Sequence, residues 1–542
     1  MLFSYFLIFI LFMLNSKILS KKINKFPNDK QELRAVWVTP LDNSSLIIYE
    51  SKEKFIENMN YILDVLTSYN MNAVVYHIRT HNNALYNSKL NPISNYWEKV
   101  NFEEFDPLKW LIDETHKRGI EFHAWLNPYR VKAKNEVTKK EVAEEYKNKG
   151  FTNNPASNEN NLLLGLTGTI PTVAYMNPAL SNVREFIKDT IIEIISNYNV
   201  DAIHFDDYFY YNMGANGATS GDKTILDEED QTTYLEYIAE HPETKYKPDN
   251  AYDKADWRRE QVTSLINLLH NEIKNFNLIN NRYVQFGISP SGVWKSGDGI
   301  VTYNEKGDAI SKGSNTSTTF EHYGSYLFAD TLLWINNEWI DYMLPQTYWA
   351  SDHPLCPYES LMDWWNKVVK YKKVDIYSGH GLYMADGTKT YGWSNNKNEL
   401  SIQLKFLNES NADGSCIYHF SALRCYYDQK DNMSSKQIKT ALIDNKFWNY
   451  KTVVNEIKAF ERIELGKVQN FKVENKEISF SKLDGAKFYA IYRKELYEEN
   501  YILLDVIGGD DEVIKYKDNS EGNYEYNVKP ISYSNTLGEA VN

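Results

Sequence analysis

The sequence predicts an α/β fold, a (β/α)8 TIM barrel, followed by a small all-β sandwich. Three observations predict it. Eight short apolar segments between Arg34 and Phe420 alternate with stretches whose apolar residues recur at helical spacing, the mark of repeated strand–helix units. Long polar stretches follow the carboxyl ends of several of these strand candidates, where a barrel builds its site. From Gly466 onward the period falls to two, in short segments with no helical signal between them. A doubly wound sheet is the competing arrangement, but no Gly-rich nucleotide turn follows the first strand candidate.

Arg34 to Pro40 supplies the first strand, and an amphipathic stretch from about Lys52 to Tyr69 leads to the second, Asn72 to Arg79. Pro107 opens the next helix and Arg118-Gly119 stops it. Ile120 to Pro128 is the third strand, with His123, Trp125 and Asn127 inward by alternation. The polar run from Tyr129 to about Ala174 is too long for an ordinary connection and is expected to be an elaborated loop over the site. Helical spacing from Pro178 to Tyr198 feeds the fourth strand, Asp201-Ala202-Ile203-His204-Phe205-Asp206-Asp207, which runs out into Tyr208-Phe209-Tyr210-Tyr211. Ile203 and Phe205 face the outer helices, so His204 and Asp206 point into the barrel near its carboxyl end. An acidic, Gly- and Thr-rich insertion extends from Asn212 to about Asp253, and Trp257 to Phe276 is helical. Strands five to eight are Tyr283–Pro290, Asp341–Trp349 with Gln346 and Tyr348 on one face, Asp375–Tyr383, and Gly414–Phe420. The expected organisation is therefore a leader at 1–22, a barrel at 32–450 and a sandwich at 465–542. The sandwich strands, 468–473, 477–480, 488–493 and 524–528, resemble a fibronectin type III module with Phe480 at the place of the usual core tryptophan. A spacer or weak surface-binding role is expected for it.

Composition narrows the partners. A net charge of −14 argues against nucleic acid, whose phosphates need a basic surface. Cys356, Cys416 and Cys425 form neither a disulfide framework nor a metal knuckle, although Cys416 and Cys425 could pair in an oxidising compartment. Met1 to Leu14 is almost wholly apolar, too short for a comfortable span and suited to a signal-peptide core. Export to an extracytoplasmic location is expected, with an uncleaved amino-terminal anchor as the only route to a membrane.

Two carboxylates beside tyrosines suit a sugar: acid groups for the glycosidic oxygen and anomeric carbon, flat rings for the pyranose face. Asp206 is the expected centre of the chemistry and Asp207 its support. Adjacent residues diverge, so a second carboxylate is sought elsewhere, among Asp352, Asp386 and the insertion around Asp222. Arg79, Asn127, Arg130 and Gln346 stand at or past strand ends, where they hold sugar hydroxyls or brace loops. Trp125, Tyr208 and Tyr348 are candidate stacking rings. His123, His204 and Asp206 would be the ligands of a metal-dependent deacetylase. The leading reading calls for no cofactor and no metal.

Over Arg34 to about Trp448 the chain resembles the family-10-like glycosyl hydrolases, the YngK-like extracytoplasmic barrel family. The motifs are Arg34-Ala35-Val36-Trp37-Val38, Trp125-Leu126-Asn127-Pro128-Tyr129-Arg130, His204-Phe205-Asp206-Asp207-Tyr208-Phe209-Tyr210, Gly287-Ile288-Ser289-Pro290, Asp341 to Trp349, and Trp364-Trp365, in order on consecutive strands. The resemblance implies a glycan-cleaving enzyme outside the cytoplasm, some relatives acting on peptide-free bacterial cell-wall glycan. Two positions depart from it. Asn83 stands where the family carries an Asp after the second strand, and His77 where relatives tend to carry glutamine. An amide binds a hydroxyl but transfers no proton. If that Asp is catalytic in the family, the chain binds glycan without cleaving it. A glycoside hydrolase is thus the leading reading, with a non-catalytic glycan-binding barrel and a metal-dependent polysaccharide deacetylase as alternatives.

Overall fold

The computed structural model describes residues 30–167, 170–210, 229–317, 321–324 and 327–541. The expected leader at 1–22 and the insertion around Asp222 lie outside them. Eight parallel strands close a barrel: β1 (Leu33–Val38), β2 (Ala73–Arg79), β3 (Glu121–Leu126), β4 (Ala202–Phe205), β5 (Gln285–Ile288), β6 (Tyr342–Met343), β7 (Asp375–His380) and β8 (Gly414–Ile417). Each strand pairs with its neighbours in sequence, and β1 closes the ring against β8 through Leu33–Gly414 and Val36–Ile417. Every strand residue is buried, as it must be where helices cover one face and the barrel interior the other.

The helices begin and end where local chemistry directs. Ser51 accepts from the amide of Lys54 at the start of Lys52–Ser68, whose Phe55, Met59, Ile62 and Leu66 face the barrel. Asp106 caps Pro107–Lys117, and Gly119 beyond its end takes φ +64°, a left-handed turn that suits glycine. One expectation needs correcting. The polar run 129–174 is not a loop but a three-stranded antiparallel sheet, Arg130–Ala133, Ile170–Met176 and Leu162–Thr167, with the helix Lys139–Asn148. Its strands are half-exposed and irregular in register, which blurred their alternation.

The carboxyl-terminal strands form two antiparallel sheets. One holds β9 (Lys472–Glu474), β10 (Glu477–Ser481) and β13 (Val513–Lys517); the other holds β12 (Ile502–Ile507), β11 (Ala486–Glu495) and β14 (Tyr524–Ser532). Ile478, Phe480 and Ile514 from the first pack against Tyr489, Ile491 and Val528 from the second. This unit is seated on the amino-terminal end of the barrel. A Cβ on Gly119 would run into the carbonyl of Val506, and one on Gly508 into the carbonyl of His116. Such close backbone approach marks a fitted interface. All three cysteines are free, so Cys416 and Cys425 do not pair.

Candidate active site

Asp206 is the first residue past β4, at the carboxyl-terminal mouth, and only 3% exposed. Trp125 Nε1 donates to its Oδ2 at 3.1 Å, Asn127 Nδ2 lies 3.2 Å from both oxygens, and the Tyr208 amide donates to Oδ1 at 3.3 Å. Asn127 is oriented in turn, because its own Oδ1 accepts from the amides of Tyr129 and Arg130. Burial pushes the Asp206 carboxyl up, while the Arg130 charge and the three donors pull it back toward the ionised form. Asp207 is partly exposed and turned to a different neighbour, Gln346. Burial, with the negative charge of Asp206 beside it, raises the Asp207 carboxyl to about 7. The two carboxyls therefore differ in their partners: Asp206 is held by three donors against the pull of burial, and Asp207 holds its proton near neutrality.

A floor of aromatic rings lies beside them. Trp37 on β1 meets Tyr348 edge-on at 6.4 Å and Tyr418 at 5.8 Å, and Tyr348 and Tyr418 stack at 5.4 Å with 26° between their planes. Tyr383 packs edge-on against Tyr418 at 5.4 Å. Tyr208 is exposed at the rim with the Arg130 guanidinium 5.3 Å from its ring centre. Flat faces and exposed rims of this kind suit pyranose rings.

Several of the expected ligands make bracing contacts within the protein. Arg79 is fully buried and donates to the carbonyls of Asn127 and Pro128 and to the side chains of Asn82 and Asn91, so it braces the ends of β2 and β3. Arg130 Nε and Nη2 both reach the Thr80 carbonyl, at 2.9 and 2.8 Å, so it acts on Asp206 through its charge. Trp125 stacks on the imidazole of His77 at 3.7 Å with planes 7° apart, which makes it a wall against Asp206. His77 is wholly buried beneath that ring, with Nδ1 2.9 Å from Thr39 Oγ1 and no partner for Nε2. Gln346 donates to the Ser289 carbonyl at 3.0 Å as well as holding Asp207. Asn83 keeps a buried Oδ1 without a partner.

His204 and His123 do not present a metal-binding face. His204 lies 2.9 Å from both Tyr342 Oη and Ser289 Oγ, and His123 spans Tyr342 Oη and Glu121 Oε2 at 3.0 Å each. Among the described residues no group of three or more His, Cys, Asp or Glu side chains could hold a metal ion. Two proposed partner carboxylates are committed to loops: Asp352 accepts from the Gly392 amide at 2.7 Å, and Asp386 holds Met433 and Ser434. Asp42, which sequence reasoning missed, does stand at the mouth, 3.3 Å from the Tyr418 hydroxyl and 3.8 Å from His419 Nε2. Its signal was position, four residues past the end of β1. Trp37 was equally legible, since alternation along β1 turns it inward with Leu33 and Ala35.

The model of the family described as "Glycosyl hydrolase-like 10" matches residues 32–391. The glycosyl hydrolase YngK of Bacillus subtilis (strain 168) is 30% identical over 491 residues, covering 87% of this chain and 85% of its own. The glycosyl hydrolase DigH of Escherichia coli (strain K12) is 32% identical over 326 residues, covering 59% of this chain and 64% of its own. Among solved structures, the PgaB (BpsB) glycoside hydrolase domain of Bordetella bronchiseptica aligns at 13% identity and a TM-score of 0.42, over 72% of this chain and 95% of that one.

Proposed function

The chain belongs to the glycosyl hydrolase-like 10 family, and from that premise we propose that it is a glycoside hydrolase whose proton donor is Asp207. The observation that carries this reading is the split between adjacent carboxyls. Asp207, raised to about 7, still holds a proton near neutrality, while the Asp206 carboxyl, also raised by burial, is held by Trp125, Asn127 and the Tyr208 amide. Cleaving a glycosidic bond needs both kinds of group, an acid for the leaving oxygen and a carboxylate for the positive charge that develops at the anomeric carbon. Tyr348 and Tyr418 supply the platform on which the ring lies, and Asp42 adds a third carboxylate at the far edge of that floor. The substrate proposed is a polysaccharide outside the cytoplasm, with peptide-free cell-wall glycan first in line. A metal-dependent deacetylase is disfavoured by the hydrogen bonds that occupy His123 and His204.

The second reading, a barrel that binds glycan without cleaving it, rests on Asn83, whose unpartnered oxygen sits where the family resemblance puts a carboxylate. Release of reducing ends from peptide-free cell-wall glycan and a panel of neutral polysaccharides separates the two. Release that survives chelator and disappears in Asp206→Asn establishes the glycosidase. Glycan binding without release, followed by gain of release in Asn83→Asp, establishes the binding barrel instead.

A further inference from the structure

Polar groups run unbroken from the sandwich interface through the barrel axis to the floor of the site. Lys487 on β11, 6% exposed at its side chain, reaches Glu121 Oε1 at 2.6 Å and Asp201 Oδ1 at 2.8 Å. Asn535 adds a second donor to Glu121 Oε1 at 2.9 Å, and His116 Nε2 meets Asp201 Oδ2 at 2.8 Å. Glu121 Oε2 faces His123 Nε2, His123 Nδ1 faces Tyr342 Oη, and Tyr342 Oη faces His204 Nδ1, at 3.0, 3.0 and 2.9 Å. His204 Nε2 ends the chain 3.2 Å from Trp37 Nε1, under the aromatic floor. The Tyr342 ring crosses the barrel axis where Gly287 leaves room; a Cβ there would overlap it.

The donors and acceptors fix a direction. Indole Nε1 can only donate, and an ionised carboxylate can only accept. With both imidazoles neutral, Trp37 donates to His204 Nε2, His204 Nδ1–H to Tyr342, Tyr342 O–H to His123 Nδ1, and His123 Nε2–H to Glu121. Ser289 Oγ, 2.9 Å from His204 Nε2, donates its proton to that same nitrogen, and turns it to the Phe205 carbonyl at 3.2 Å only when Nε2 is itself protonated. The opposite direction is also complete once Glu121 takes up one proton. Glu121 then donates to His123 Nε2, His123 Nδ1–H to Tyr342, Tyr342 O–H to His204 Nδ1, and His204 Nε2–H to Ser289 Oγ. In that arrangement the Trp37 indole N–H faces another N–H and has lost its acceptor.

We propose that Lys487 is a positioning residue for the active site: by keeping Glu121 ionised it holds this chain in the direction that seats Trp37 beneath Tyr348 and Tyr418. The sandwich is then a working part of the barrel, contributing one buried cation to the end opposite the chemistry. Burial alone would push the Glu121 carboxyl up, and the Lys487 charge brings it below its ordinary value. His204, buried among neutral groups with His123 nearby, is held well below the ordinary imidazole value and stays neutral, as the chain requires.

The kinetic half of the test rests on the glycosidase reading; the spectroscopic half does not. Nitrogen-15 signals of His204, assigned by their loss in His204→Asn, report which ring nitrogen carries the proton. The wild-type protein is expected to protonate Nδ1, and Lys487→Met to protonate Nε2, with kcat lowered about tenfold and KM unchanged. Tyr342→Phe cuts the chain without touching the interface. It is expected to move the His204 proton the same way, and Lys487→Met added to it to lower kcat no further. A His204 tautomer unchanged in Lys487→Met overturns the proposal, as does a reversed tautomer with kcat unaffected. If Lys487→Met fails to fold, Glu121→Gln takes its place, since its amide nitrogen donates to His123 Nε2 as a protonated Glu121 would, and the same reversal of the His204 tautomer is expected. If the wild-type protein releases no reducing ends, the glycosidase reading fails by itself and the nitrogen signals still decide the chain.

Discussion

The two ends of the barrel each hold a pair of carboxylates, and treat them in opposite ways. At the amino-terminal end Glu121 and Asp201 share Lys487, and both carboxyls are driven below their ordinary range despite burial. At the mouth Asp206 and Asp207 have no cation bonded to them, since Arg79 and Arg130 are tied to carbonyls, and both are pushed up. The difference is whether a cation is bonded to the carboxylates: Lys487 touches both Glu121 and Asp201, whereas Arg79 and Arg130 act on Asp206 through charge alone, their N–H groups being spent on carbonyls and amides. A shared ammonium makes a buried carboxylate part of the framework, while withholding it leaves a group that still exchanges a proton near neutral pH.

The largest expected effect breaks the mouth. Asp207→Asn removes the proton donor and is expected to lower kcat for reducing-end release about 10²- to 10⁴-fold with little change in KM, measured on peptide-free glycan. The next breaks the other end. Lys487→Met leaves two buried carboxylates without their cation and is expected to cost about 3–5 kcal/mol in urea unfolding, because an uncompensated buried charge is expensive.

A third change sharpens the contrast in sign. A carboxyl raised by folding binds its proton more tightly folded than unfolded. Asp207 therefore costs the fold stability as pH rises from about 4, the unfolded value, to about 7. Asp207→Asn is expected to stabilise the protein at pH 8 by on the order of 2 kcal/mol, a figure halved because the group is partly exposed. The depressed Asp201 carboxyl acts the other way: its contribution is present above about pH 4 and lost as pH falls through the folded value. Unfolding curves of the wild type and Asp207→Asn at pH 5 and pH 8 read the first effect, and wild-type curves carried from pH 5 down through pH 3 read the second. The smallest effect belongs to the rim. Tyr418→Phe loses a 3.3 Å hydrogen bond to a solvent-exposed carboxylate and is expected to shift stability by no more than about 0.5 kcal/mol.

Much of this contrast was open to the sequence at the mouth and closed to it at the other end. Strand alternation turned His204 and Asp206 inward, because β4 has a single apolar face and a barrel has only one place to put the other. The same parity applied to β1 would have found Trp37. Arg79 could not be read as a brace, since two of its acceptors are main-chain carbonyls 48 and 49 residues further on, and a carbonyl leaves no mark on composition. Lys487 was invisible for a related reason. It lies on a strand with alternating residues, where a lysine reads as solvated, and only docking of the sandwich brings it to Glu121, 366 residues away. The three-stranded sheet over residues 130–176 escaped because its register shifts interrupt the period that betrays a strand.

The most direct test of the contrast is the pH dependence of kcat for reducing-end release, wild type beside Asp207→Asn. The expected result is a rate that holds below about pH 7 and falls tenfold per unit above it, with that fall absent in the variant. A wild-type rate maintained through pH 9, or an Asp207→Asn protein with the full rate, would contradict it and return the acid's role to another group.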